Sequence, residues 1–228
     1  MLNFFRSFMK SKFGVGMTLV IATRGIDLSV GATFGLTSTF FGMLPPIPEE
    51  TTFEFRGDVQ NVMSGMIPRI YGRSYAIEGQ LTVPDGGAEG VIVAHADFIG
   101  GCALWVDDGG LLTHTYSFLG VETYKATAST PLPSGDVTVK MLFKATENKP
   151  GTGGHVTLSV NDEVVAESNM PHTVPIAFTS YSGMDIGRDN GGVVDLDYED
   201  RAPYAFTGKV RNVVFDLAPH AHDDEVNL

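Results

Sequence analysis

The sequence predicts an all-β fold, an antiparallel two-sheet β-sandwich, and three observations carry that prediction. From Thr51 onward, short apolar or alternating runs are separated by clusters of Gly, Asp, Asn and Pro, the pattern left by consecutive antiparallel strands. No stretch there shows the 3.6-residue apolar period of an amphipathic helix. Charged residues make up 18% and hydrophobic residues 43%, with 27 glycines, the balance of an ordered, turn-rich domain with disorder confined to its ends.

Residues 1–48 stand apart from that body. They hold Arg6, Lys10, Lys12 and Arg24 against Asp27, a net +3, which leaves −15 of the total −12 on the rest. A basic start precedes the apolar run Phe13–Ala22, and Val20-Ile-Ala22 has the small-residue form of a signal-peptidase site. A second uncharged run, Ser29–Leu44, ends at Pro45-Pro46-Ile47-Pro48. Neither run reaches the roughly 20 residues that a membrane-crossing helix needs. The segment, which could form helix, therefore has three readings: a fusion remnant, a membrane-interface anchor acting through residues 1–44, or a cleaved signal. The compartment stays open between cytoplasm and periplasm or exterior.

The predicted divisions are the apolar segment 1–48, a linker with a first strand over 49–72, the sandwich over 73–217 and a disordered tail over 218–228. Strands are expected at Tyr75–Val83, Gly90–Ala96, Ala103–Val106, Leu111–Phe118, Val137–Ala145, His155–Val160, Glu163–Glu167, Ile176–Thr179 and Lys209–Leu217. Two hairpins are specific: Asp107-Asp-Gly-Gly110 and Asn161-Asp162 supply residues that tolerate positive φ. Alternation places Val137, Val139, Met141, Phe143 and Ala145 on one face, with Val156, Leu158 and Val160 likewise inward. Val213, Phe215 and Leu217 are expected in the core, where burying each stabilises by about 1.5–3 kcal/mol.

Composition excludes some functions. A net charge of −12 argues against DNA or RNA, whose phosphates demand Lys/Arg-rich surface. The single cysteine, Cys102, can form neither an internal disulfide nor a multi-thiolate metal site, and on an apolar strand it reads as a small buried hydrophobe. Gly151-Thr-Gly-Gly154 lacks the Lys-Ser/Thr of a phosphate loop. His95, His114, His155 and His172 stand at no triad spacing, and His220 and His222 fall in the tail. No catalytic residue is assigned.

Two constellations are candidate binding sites. Trp105, Tyr116 and Tyr124, with Phe118, could stack against the apolar face of a sugar. The alternation Leu112, His114, Tyr116, Phe118 equally suits the core or an interface with a partner. The acidic stretch Asp185–Asp200 could hold Ca²⁺, with Asp195 and Asp197 as ligands, because calcium takes six to eight oxygens. Calcium is the one cofactor considered. Asp195-Leu-Asp197-Tyr-Glu-Asp200 also matches by spacing the carboxylate strand of jelly-roll glycosidases, but with aspartates in place of glutamates and loop-like flanks.

Particular phrases carry a family resemblance. Val83-Pro-Asp-Gly-Gly-Ala-Glu-Gly-Val-Ile-Val-Ala94, Leu104-Trp-Val-Asp-Asp-Gly109, Leu132-Pro-Ser-Gly135, Asp185-Ile-Gly187 and Phe206-Thr-Gly208, in this order, resemble the C-terminal accessory region of bacterial arylsulfatases over residues 51–217. The resemblance implies a concanavalin A-like jelly roll that packs against a sulfatase catalytic domain, supplied in trans or lost, and cleaves nothing itself. The Cys-x-Pro-x-Arg motif from which that family makes formylglycine is absent, since Ala-Leu-Trp-Val follows Cys102. The alternative is a lectin-like carbohydrate-binding module, with glycan as partner. Gly16 to Gly31 in turn resembles a motif of ribose-type sugar ABC-transporter permeases, with Arg24 where that family has glycine and no further transmembrane helix following, so transport activity is not implied.

Overall fold

The structure is a computed structural model, and it describes residues 50–178 and 181–219. The readings of residues 1–48 and of His220 and His222 lie outside the described residues. Within them, the compact unit begins at Glu50. Among the described residues eleven strands form two antiparallel sheets: β1 Thr52–Arg56, β2 Tyr75–Val83, β3 Gly90–Asp97, β4 Gly100–Val106, β5 Leu111–Phe118, β6 Glu122–Pro131, β7 Gly135–Ala145, β8 Gly154–Val160, β9 Glu163–Met170, β10 Met184–Ile186 and β11 Lys209–Leu217. The six-stranded sheet runs β1-β11-β2-β7-β8-β9 and the five-stranded sheet β10-β3-β4-β5-β6. No helix among the described residues is long and apolar enough to cross a membrane.

The two-sheet sandwich is as expected, and all but one of the anticipated strands form. Ile176–Phe178 is loop and Ile176 stands 83% exposed. Pro171 and Pro175 interrupt the chain before it, and proline cannot donate to a ladder. The chain instead forms β6 and β10, which apolar periodicity does not reveal. The inward residues of β6 include Ala126 and Ala128, too small to register, and β10 has three residues. Thr52–Arg56 pairs with β11 as an edge strand of the six-stranded sheet.

Both hairpins form where turn chemistry puts them. Asn161 and Asp162 take φ 49° and 68°, the double left-handed conformation of a two-residue turn whose twist matches its strands. The Asn161 carboxamide oxygen also accepts from Thr138 N at 2.9 Å. Gly110, with φ 80°, closes the turn between β4 and β5.

The main core lies between the sheets, where Leu81, Leu104, Leu112, Val139, Met141, Leu158, Val213 and Phe215 are fully buried. A second cluster lies on the outer face of the five-stranded sheet. Val91, Ala94, Ala103 and Trp105 are covered there by Val193, Val194, Tyr198 and Tyr204, which belong to the segment joining β10 to β11. This cover, residues 187–206, includes a short 3-10 turn at Leu196–Arg201. Backbone bonds hold it at its ends, from Val91 N to Tyr204 O and from Phe206 N to Gly187 O, each 2.9 Å.

Candidate functional site

The aromatic residues expected to form a stacking platform point to opposite faces of the five-stranded sheet. Trp105 faces outward but is 4% exposed beneath the cover, its ring 5.0 Å from Tyr198 and 6.2 Å from Tyr204. Its indole N–H donates to Thr115 Oγ1 at 3.0 Å. Tyr116 faces the main core at 2% exposure, and its hydroxyl accepts from Val174 N at 2.8 Å. Tyr124 pairs with Tyr116 in register, is half-buried against the core, and donates to Glu122. Trp105 and Tyr116 are therefore packing residues, and the platform reading is corrected. Alternation separates the two faces, but it does not show that a distant segment folds over the outer one.

Asp195 and Asp197 do converge, but on the ammonium of Lys125. Lys125 Nζ lies 2.9 Å from Asp195 Oδ1 and 2.5 Å from Asp197 Oδ2. Asp195, 3% exposed, also accepts from Thr115 Oγ1 at 2.6 Å and from Asp197 N at 3.0 Å. These carboxylates already hold one cation between them, and Asp195 accepts two further hydrogen bonds, so the calcium reading gives way to an ion pair that pins the cover to β6. The glycosidase spacing fails as well, because Leu196–Arg201 is a 3-10 turn rather than a strand and Asp195, one of the two aspartates in the glutamate positions, is buried and held by Lys125 and Thr115. Among the described residues no group of three or more His, Cys, Asp or Glu is arranged to hold a metal ion. Replacing Lys125 by Met should leave Asp195 buried without its cation and lower stability by about 1–3 kcal/mol in urea denaturation. The loss should shrink when Asp195→Asn is added, and strict additivity of the two changes would refute the coupling.

Two other acids of the stretch, Asp185 and Asp189, also serve the cover. Asp185 Oδ1 accepts from Asn61 N at 2.7 Å and its Oδ2 from Asn190 N at 3.0 Å. Asp189 accepts from Val194 N at 2.8 Å and from the Tyr198 hydroxyl at 2.7 Å. Burial, reinforced by the nearby Asp185 and Asp97 charges, pushes Asp189 up to about 6. Cys102 is buried, as expected, and burial pushes its thiol up to about 12. It is therefore protonated at neutral pH and no nucleophile.

An open cleft of about 460 Å³ lies where β7 turns into β8 and β9 ends, a size within the range of small-ligand sites. Sequence reasoning treated its loop only as a failed phosphate loop. Thr146, Glu147, Lys149, Gly151–Gly154, Asn169, Met170 and Pro171 line it. The loop is pinned from within: Thr146 N donates to Gly153 O at 2.9 Å, Glu147 N to Thr152 Oγ1 at 3.1 Å, and Thr173 Oγ1 to Thr152 O at 2.7 Å. Gly153 is required, since a Cβ there would sit 2.3 Å from Pro171 O. The polar side chains at the rim stay free to exchange partners. Glu147 and Lys149 form an exposed ion pair at 2.5 Å. Asn169 Oδ1 accepts from His155 Nδ1 at 3.0 Å, which with Glu167 raises the His155 pKa. Carboxylate, ammonium, amide and backbone groups thus line the cleft together with the exposed Pro171 and the backbone of the core residue Met170.

No family model matches the chain, and no curated protein matches it. Solved structures do. A leech intramolecular trans-sialidase complexed with 2,7-anhydro-Neu5Ac aligns with a TM-score of 0.50 at 12% identity, over 78% of this chain and 27% of its own. The CBM40 of a Ruminococcus gnavus IT-sialidase, bound to alpha2,3 sialyllactose, gives 0.49 at 14% identity over 77% of this chain and 94% of that one. Domains LG4-5 of the mouse laminin alpha1 chain give 0.48 at 14% identity over 75% and 44%. At these identities the likeness is one of backbone architecture, the jelly-roll sandwich.

Proposed function

We propose that this chain is a non-catalytic, lectin-like sandwich module that binds a glycan in the cleft formed by the β7–β8 loop and the end of β9. The chemistry of that cleft carries the reading. Neighbouring sugar hydroxyls both donate and accept, so they suit a rim where Glu147 accepts, Lys149 donates and Asn169 does both. The apolar C–H face of a pyranose can lie over the exposed Pro171. A rim ion pair and an amide exposed to water lose little on exchanging solvent for hydroxyls, which points to modest affinity rather than a buried, tight site. The fold supports the reading only as a scaffold, one also present within a trans-sialidase solved with a sialic acid derivative. The accessory role beside a sulfatase catalytic domain, implied by the turn phrases, has no counterpart among these neighbours, and the glycan reading takes its place.

A glycan array with the full chain should show binding to a restricted set of saccharides. Titration of the best of them should then lose about tenfold or more in affinity on changing Glu147 and Asn169 together to Ala, the effect of a few lost hydrogen bonds. A blank array, or binding indifferent to both substitutions, would remove the cleft as the site. No sugar should be turned over.

A further inference from the structure

The cover leaves β10 through Asn190, the only asparagine in the sequence that a glycine follows. Its backbone N–H donates to Asp185 Oδ2 at 3.0 Å and its carboxamide Nδ2 to Asp185 Oδ1 at 3.1 Å, the oxygen that also accepts from Asn61 N. The buried Asp185 carboxylate thus ties three stretches together: β10 itself, the start of the cover, and the chain that follows β1. Its charge and that of Asp97 both act on the neighbouring Asp189, so a further carboxylate placed here would join three others. Asn190 is half-buried, and Gly191 beyond it is exposed with φ +84°. Without a Cβ, Gly191 leaves the approach to the Asn190 side chain open, and solvent can take the proton from its amide.

We propose that Asn190 is a site of covalent modification: the Asn190–Gly191 pair closes to a succinimide, and hydrolysis of that ring to aspartate or isoaspartate loosens the cover irreversibly. Asparagine is a thermolabile residue, and the balance of the step is simple. The Gly191 nitrogen, its proton lost to hydroxide, attacks Asn190 Cγ. The Cγ–Nδ2 bond breaks, and Nδ2 departs as ammonia with a proton from water. Water then adds to either carbonyl of the ring. Addition at Cγ breaks its bond to the Gly191 nitrogen and gives aspartate, whereas addition at the backbone carbonyl carbon leaves the chain running through Cβ and Cγ, as isoaspartate. Nothing is oxidised or reduced. Ring closure needs Asn190 released from Asp185, so its rate follows local opening of the cover at its β10 end. Either product replaces the donor 3.1 Å from Asp185 Oδ1 by a negatively charged acceptor, and like charges so close repel in a half-buried setting. Isoaspartate also lengthens the backbone just ahead of the bonds from Gly192 N to Ser182 Oγ and from Val194 N to Asp189 Oδ2. With the ammonia gone to solution, the original contact cannot re-form.

The full chain, incubated for days at mildly alkaline pH, should show the change in the tryptic peptide that Arg188 and Arg201 delimit, which holds no other asparagine. That peptide should gain the mass by which an acid exceeds its amide, and chromatography should separate its isoaspartate from its aspartate form. Asp85–Gly86 and Asp108–Gly109 can isomerise through the same kind of ring, but they lose no ammonia and gain no mass. Emission from Trp105, buried beneath the cover, should move to the red in step with the modified fraction. Asn190→Gln, whose longer side chain closes a ring far more slowly, should gain no mass and keep its emission over the same period. Asn190→Asp, its fold checked by far-ultraviolet circular dichroism, should emit further to the red from the start. An unmodified peptide from the aged chain, when the same peptide free in solution does deamidate, would overturn the proposal. So would native Trp105 emission in both Asn190→Asp and the fully modified chain, because the cover would then stay seated whatever stands at 190.

Discussion

Lowering the pH from 7 to 4 should reduce the stability of the sandwich by about 3–4 kcal/mol, a large share of the roughly 5–15 kcal/mol that holds a domain folded. Two buried imidazoles drive the loss. His114 faces the core from the middle of β5 and His95 sits near the end of β3 against Phe178, at 2% and 5% exposure. Burial pulls both from 6.5 down to about 4. The His95 Nδ1 and His114 Nε2 atoms have no hydrogen-bond partner among the described residues, so nothing offsets the desolvation of a charged ring. Because the folded pKa lies below the unfolded one, these groups stabilise the native state fully above pH 6.5, and the contribution is lost as pH falls through about 4. A shift of about 2.5 units corresponds to about 3 kcal/mol for each ring.

Asp189 works in the opposite sense. Its pKa is raised from 3.8 to about 6, so its stabilising contribution is complete below 3.8 and is lost as pH rises through 6. It returns about 3 kcal/mol over the same acid window. The melting temperature should therefore fall by about 10 °C between pH 7 and pH 4, at roughly 2–4 °C per kcal/mol for a domain of this size. His114→Leu should flatten that slope and raise stability at neutral pH, because it replaces an orphaned polar nitrogen by a core methyl. Asp189→Asn should steepen it. A melting temperature independent of pH in all three proteins would show that neither imidazole is buried in solution.

The sandwich was largely legible because its signals are local. Glycine, asparagine and aspartate at the Asp107–Gly110 and Asn161–Asp162 turns can reach positive φ, and Val137 to Ala145 alternates with the pleat. What escaped was non-local. The alanines of β6 and the three residues of β10 gain strand geometry only from neighbours already in place. Asp195 and Asp197 read as free oxygens because Lys125, their partner, lies some 70 positions away in sequence. Trp105 read as exposed or core, when it is neither on the inner face nor open to solvent, since residues 187–206 close over it. The cleft was missed because its loop carries no residue pattern of its own. Gly153 and Gly154 line the cleft, and their requirement appears only once Pro171 and Phe143 are seen pressed against them.

That cover is held so closely at one point that a single methyl group should dislodge it. Gly90 opens β3 with φ +108°, where an L side chain is strained by about 1–3 kcal/mol. Its Cβ would also fall 2.4 Å from Ala205 O and 2.7 Å from Phe206 Cα. Both obstacles are backbone atoms, so no rotamer change relieves them. Either β3 shifts or the chain at 205–206 lifts, and the latter takes with it the Tyr204, Tyr198 and Asp195 contacts to the sheet. Gly90→Ala should therefore lose about 3–5 kcal/mol. Trp105 is the only tryptophan and lies directly beneath the cover, so its emission should move to the red and its near-ultraviolet dichroism weaken while the far-ultraviolet β signal persists. Gly87→Ala separates strain from collision. Gly87 has φ +86° but nothing within 4 Å of its added Cβ, so this change should lose only about 1–2 kcal/mol and leave Trp105 emission unchanged. If Gly90→Ala kept native emission and stability, the cover would be free to float over the sheet, and the ion pair from Lys125 would have nothing fixed to pin.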